Sequence, residues 1–144
     1  MRFANRKLAL KNMKKHNGMR PQDIVILLKI LSLEDREWNN AEIANSLNIS
    51  ASEVTEALNR CKIARMIDST KRKVHTNALK EFLIYGLKYV FPAEPGSIVR
   101  GVPTAHSAKP ISKYISGGNE NYVWPDSKGK IRGFAIEPLY RTIP

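Results

Sequence analysis

Ser50, Ser52, Thr55, Asn59 and Arg60 fall within eleven residues, on the side of a would-be helix away from Val54 and Leu58. Hydroxyls, a carboxamide and a guanidinium in that arrangement can hydrogen-bond to base edges and phosphates. Serine and threonine read bases indiscriminately, asparagine suits adenine, and arginine reaches guanine or a phosphate. Glu53 and Glu56 share this side and oppose phosphate, although a glutamate can accept from a cytosine amino group and Glu53 is also placed to cap. A second cationic group, Lys71, Arg72 and Lys73, follows in a polar turn. A third, Arg2, Arg6, Lys7, Lys11, Lys14 and Lys15, sits in a first stretch of 20 residues without acids. That stretch suits an arm ordering on a phosphate backbone, a basic helix laid on the body, or a solvated terminus.

Other chemistries find little support. His16, His75 and His106 have neither helical pairing nor cysteine partners, so spacing assembles no metal site. Gly96, Gly117 and Gly118 make no phosphate-binding loop, and the scattered carboxylates suggest no acid–base pair. The expectation is a non-enzyme with no metal and no cofactor. Cys61, the single cysteine, falls at i+3 from Leu58 and i+7 from Val54. It reads as a buried structural thiol rather than a redox switch. The net charge of +11 is the electrostatic signature of a nucleic-acid binder. No apolar run approaches the roughly 18 residues that span a bilayer, and no apolar stretch follows the basic start, so a cytoplasmic chain without membrane contact is expected.

The element that positions the first group is Ala41–Cys61, AEIANSLNISASEVTEALNRC. Ala44 allows a close helix crossing and Leu47 ends the first helix. Asn48 tolerates a left-handed turn, Ile49 plugs the corner, and Ser50 with Glu53 makes a capping box for the second helix. This is the pattern of a helix-turn-helix. Upstream, Pro21 opens PQDIVILLKILSL, where Ile24, Leu27, Leu28 and Leu31, widened by Val25, Ile26 and Ile30, predict the core helix. Glu34-Asp35 ends it, Arg36–Trp38 suggests a short strand, and Asn39 or Asn40 caps the next helix. Downstream, Arg65–Ile67 and Val74–Thr76 read as two strands around the basic turn.

This order of elements resembles the winged helix-turn-helix superfamily, and MarR-like regulators within it. The resemblance implies that Lys71, Arg72 and Lys73 form a wing contacting phosphates or the minor groove. It also implies a homodimer formed through helices flanking the winged domain. Residues 77–91 fit such a helix, with Leu79, Phe82, Leu83, Gly86, Leu87 and Val90 on one stripe and Ile84, Tyr85, Tyr89 and Phe91 beside it.

From residue 92 the chain changes character. Pro92, Pro95, Pro103 and Pro110 rule out a long helix and argue against a central strand, so an extended strap or loose linker is expected. Residues 121–136 then read as a hairpin of Tyr122–Trp124 and Lys130–Ile136. The phrases VFPAEPG, RGVPTAH, VWPD and IRGFAIEPLY are similar to the tail of small bacterial winged-helix proteins of toxin–antitoxin or defence loci.

The expected fold is mainly α with a small β part (α+β). Its divisions are a basic segment at 1–20, a winged helix-turn-helix domain at 21–91, and a strap with a hairpin at 92–144. The expected function is sequence-specific binding of double-stranded DNA by a dimeric regulator, most simply a repressor. Two alternatives remain open. One is a winged-helix subunit whose tail docks a protein partner. The other is non-specific nucleic-acid binding, with Tyr122, Trp124 and Tyr140 near Lys128, Lys130 and Arg132 as a stacking platform.

Overall fold

The computed structural model describes residues 18–116 and 118–140. The basic residues Arg2 through Lys15 named above, and His16, lie outside them. Proline at the first helical position starts α1, Pro21–Ser32. Ile24, Ile26, Leu27 and Ile30 are buried along it, whereas Leu28 is 42% exposed and Leu31 half-buried. The buried face is thus rotated from the predicted stripe, and Asp23 lies on it, fully buried. Glu34, at φ 54°, turns the chain out of the helix.

Residues Arg36–Trp38 are irregular, not a strand. Asn39 then caps α2, Asn40–Leu47, by accepting from the Glu42 N–H at 2.9 Å. Asn48 adopts the left-handed conformation at φ 53° and ends α2, as its residue type allows. Two residues later Ser50 caps α3, Ala51–Ile63, accepting from the Glu53 N–H at 3.1 Å. Ala44 is buried where α2 crosses α3, and Val54, Ala57, Leu58 and Cys61 face inward. These side chains join those of α1 in one core.

The two predicted wing strands reduce to a single bridge, Ile67 with Val74. Backbone bonds from His75 to Met66 at 2.8 Å and from Asp68 to Lys73 at 2.9 Å hold it. Strands cannot lengthen here because Arg65, at φ 59°, is still completing the exit from α3 and Thr76 already starts the next helix. That helix runs as α4, Thr76–Glu81, a π-helical turn, Phe82–Gly86, and α5, Leu87–Val90. The Leu87 N–H donates to the Phe82 carbonyl across the wide turn. Gly86 leaves room for the Phe82 ring, which a Cβ there would approach to 2.7 Å. The predicted stripe is buried only at Leu79. Phe82, Leu83, Gly86 and Leu87 are half-buried and Val90 is exposed.

The tail departs most from expectation. A strand forms inside the proline-rich stretch, β1, Ile98–Pro103, and it has a partner on each side. It pairs antiparallel with β2, Tyr122–Pro125, through its second half and with β3, Ile131–Ala135, through its first half. The predicted hairpin does not form, because β2 and β3 run parallel and pair directly at Tyr122–Phe134 and Val123–Ala135, closing a three-stranded barrel. The prolines are accommodated because they stand outside β1 or at its last residue. Val123 is the buried centre of this barrel. Beyond β3, Leu139 returns to pack against the helical core, as does Phe91.

Candidate nucleic-acid interface

Helix α3 turns Ser52, Thr55, Glu56 and Lys62 outward, with Asn59 half-exposed. The Ser50 and Ser52 hydroxyls lie 3.0 Å apart. Thr55 donates to the Ala51 carbonyl at 3.0 Å and accepts from the Asn40 side chain at 3.0 Å, linking the start of α2 to the middle of α3. Four of the five candidate polar residues on α3 therefore remain accessible.

Arg60 is the exception and corrects the sequence reading. Its side chain is 9% exposed and points into the protein. Nε donates to Asp23 Oδ2 at 2.9 Å, and Nη2 donates to Asp23 Oδ1 at 2.7 Å and to Glu53 Oε1 at 2.9 Å. Asp23 also accepts from the Arg20 backbone N–H at 2.9 Å. The guanidinium is bound more firmly to its proton than usual, chiefly through its hydrogen bonds to Asp23. Burial of a carboxylate demands such a partner, and a planar fork matches it bidentately. Arg60 is thus a strut between α1 and α3, not a DNA contact.

Glu53 joins this strut. Its carboxylate accepts from Gln22 Nε2 at 2.9 Å and from Arg60, and these bonds, that of Gln22 foremost, hold it below the ordinary carboxylate range. Only the Ser50 half of the capping box forms. One of the two acidic residues that opposed phosphate is consequently drawn inward, leaving Glu56 on the outer face.

The turn between Ile67 and Val74 is organised by Asp68. Its carboxylate accepts from the Thr70 hydroxyl at 2.5 Å and from the Arg72 and Lys73 N–H groups at 2.8 and 3.0 Å. The Thr70 hydroxyl, followed by the two backbone donors, lowers its pKa to about 2. The stabilisation is present above the ordinary carboxylate range and is lost as pH falls toward 2. Lys71, at φ 59°, sends Nζ to Asn59 Oδ1 and so couples the turn to α3. Arg72 donates to the Trp38 carbonyl at 2.7 Å and lies 4.7 Å above the Trp38 ring. Lys73 is exposed.

Asn40, Thr55, Thr70, Lys71 and Arg72, with Leu58 at the base, surround a cleft of about 140 Å³. Side chains from two helices and the basic turn line it, already bonded to one another or to neighbouring groups: Asn40 to Thr55, Thr70 to Asp68, Lys71 to Asn59 and Arg72 to the Trp38 carbonyl. A larger groove of about 750 Å³ between residues 34–38 and the turn mixes Glu34, Asp35 and Glu37 with Arg36, Arg72 and Lys73, and so presents no single sign of charge. The signal missed in the sequence was Asp23, an acidic residue on the same helical face as Ile26, Leu27 and Ile30, which required a buried cation.

His75 and His106 each bond a backbone carbonyl, at 2.8 and 2.9 Å, and the His106 ring packs against Tyr122, tilted by 59° with centroids 4.5 Å apart. Tyr122 is thereby withdrawn from the predicted stacking platform, and Tyr140 is half-buried. Among the described residues no cluster of His, Cys, Asp or Glu is arranged to hold a metal ion, and no helix is long and apolar enough to cross a membrane. Burial pushes the Cys61 thiol up to about 12, so it carries little nucleophilic thiolate at neutral pH. Neither the protein-family models, nor the curated proteins, nor the solved structures contain a match to this chain.

Proposed function

We propose that the chain is a winged-helix protein that binds double-stranded DNA selectively and acts as a dimeric transcriptional regulator, in its simplest form a repressor in the cytoplasm. The observation that carries this reading is the inward turn of Glu53. It leaves Ser50, Ser52, Thr55 and Asn59 as a polar reading surface on α3, with Lys71 bound to Asn59 beside it and Lys73 exposed in the same turn. Base discrimination would come from α3, and sequence-independent affinity from the basic turn by counterion release. A backbone phosphate reaching the 140 Å³ cleft would meet Lys71 and Arg72, each of which has N–H donors beyond its present bond. The reading assigns no catalytic step and no cofactor.

Selection of bound duplexes from a random pool, followed by anisotropy on the winner and its scramble at two salt concentrations, tests it. Lys73→Ala is expected to weaken both duplexes alike and to reduce the salt slope by about one. Asn59→Ala is expected to cost about 1–3 kcal/mol on the selected duplex alone. Failure to enrich any sequence, with affinity that vanishes at the higher salt, rejects a sequence-specific regulator.

The second copy would pack on the helix from Thr76 to Val90. Its outer side exposes Glu81, Ile84, Tyr85, Lys88 and Tyr89, with Tyr85 and Tyr89 67% and 77% exposed. An antiparallel pairing about a two-fold axis between Ile84 and Tyr85 sets Glu81 against the other copy's Lys88 and Ile84 against its Tyr85. Such self-complementarity is what an isologous contact requires. Binding two half-sites of a duplex requires a two-fold dimer of this kind, with its reading helices about one DNA turn, roughly 34 Å, apart. In sedimentation, Glu81→Lys should shift the chain toward monomer, and adding Lys88→Glu should restore the dimer. A wild-type chain that sediments as a monomer removes this interface.

A further inference from the structure

We propose that the outer face of the β1–β2–β3 barrel is a separate binding site for single-stranded nucleic acid. The registers place Val102 opposite Trp124, Arg100 opposite Arg132, and Ile98 opposite Phe134. Alternation along β1 sends Ile98, Arg100 and Val102 outward, while Gly101 on the other side, and Gly133 opposite Val99, are buried. One side therefore carries, in order, an apolar pair, a pair of guanidinium groups, and an indole beside a valine.

Two features of this row are costly without a ligand. Arg100 and Arg132 are like charges directly opposite on neighbouring strands, an arrangement that destabilises a sheet. Among the described residues neither forms an ion pair, and Arg100 donates only to the Gly129 carbonyl, at 3.3 Å. An anion between them would offset the repulsion. Trp124 is 51% exposed and Val102 44%, although nothing in the helical unit needs them at the surface. A flat apolar group would cover them. Two residues of strand separate the two demands, roughly 7 Å, so one ligand must present negative charge and a flat ring side by side.

A nucleotide does this. Arginine pairs with its phosphate and tryptophan stacks on its base, and a strand of nucleotides repeats both. Lys128 and Lys130, both exposed, extend the cationic track before β3. The bases of a duplex are already stacked on each other, so the protruding indole selects single strands. The site shares no residue with α3 or with the basic turn, and it does not rest on the regulatory reading.

The test uses the full chain with a labelled twelve-nucleotide oligothymidylate and with the same strand in duplex. The single strand is expected to bind with quenching of tryptophan fluorescence. Trp124→Ala should weaken it roughly 5- to 150-fold, the range for one lost stacked base. Trp124→Phe should recover most of the affinity, which separates stacking from misfolding. Arg132→Glu should abolish binding. Duplex affinity should not change with Trp124→Ala, whereas Lys73→Ala should lower duplex affinity alone. No binding of the single strand overturns the proposal, as does single-strand binding that Trp124→Ala leaves intact. Loss of duplex selectivity with the single strand still bound would reject only the regulator.

Discussion

Asp23→Ala is expected to lower the unfolding free energy by about 3–5 kcal/mol, the cost of removing one partner from a buried ion pair. Asp23 has no exposed surface, and the Arg60 side chain has 9%. Removing the carboxylate leaves Arg60 with only Glu53, whose side chain is 28% exposed. Against the 5–15 kcal/mol that holds a typical domain together, this is a large fraction. Glu53→Gln should cost much less, because Asp23 retains both of its bonds to Arg60. Replacing the pair together, with Asp23→Leu and Arg60→Met, should recover much of the loss, since no charge is then stranded. Urea unfolding of the four chains decides the matter. A loss below about 1 kcal/mol for Asp23→Ala would mean that the guanidinium finds water, as exposed pairs do, and would reject the strut. Because the strut fixes α3 against α1, DNA affinity should fall in the same variant even below its unfolding midpoint.

The second large effect is confined to the barrel. A Cβ at Gly129 would lie 2.2 Å from the carbonyl carbon and oxygen of Gly101 and 2.4 Å from its Cα. All three atoms are backbone, so no side chain can swing aside. Gly129→Ala must therefore part the turn after β2 from β1, at about 3 kcal/mol or more, the upper range for overpacking. Gly101→Ala should behave alike, since its Cβ would meet the Trp124 carbonyl oxygen at 2.0 Å. The helical core contains no residue of the three strands, so it should persist. Hydrogen exchange is the measurement. Fast exchange in β1 with α1 still protected is expected. Equal protection in both would show that the ring tolerates the methyl, and loss in both would show that the two units are one.

What the sequence revealed was local. Asn48 and Ser50 carry their conformations in their own side chains, so the end of α2 and the start of α3 could be placed to the residue, while the start of α2 was narrowed to Asn39 or Asn40. The face of α1 could not, because Leu28 and Leu31 are as apolar as Ile26 and Ile30 and only packing chooses among them. Arg60 illustrates the same gap at the candidate interface. Its position on α3 fitted a base contact equally well until Asp23, 37 residues away, claimed it. The basic turn was visible, but the pairing around it was overstated because Arg65 and Thr76 belong to the helices on either side. Proline argued correctly against a long helix after residue 91 and wrongly against a strand with a partner on each side. The positions that mattered were the glycines, where β1, β2 and the following turn come too close for any side chain.

Closing the β1–β2–β3 ring has a consequence for how this chain meets others. An open sheet ends in strands whose N–H and C=O groups can template another chain, by strand addition or aggregation. Here β2 and β3 pair with each other as well as with β1, so the ring has no terminal strand. Exposed Ile98, Val102 and Trp124 would otherwise mark β1 and β2 as sticky. Along the residues that pair, recognition at the barrel is left to side chains.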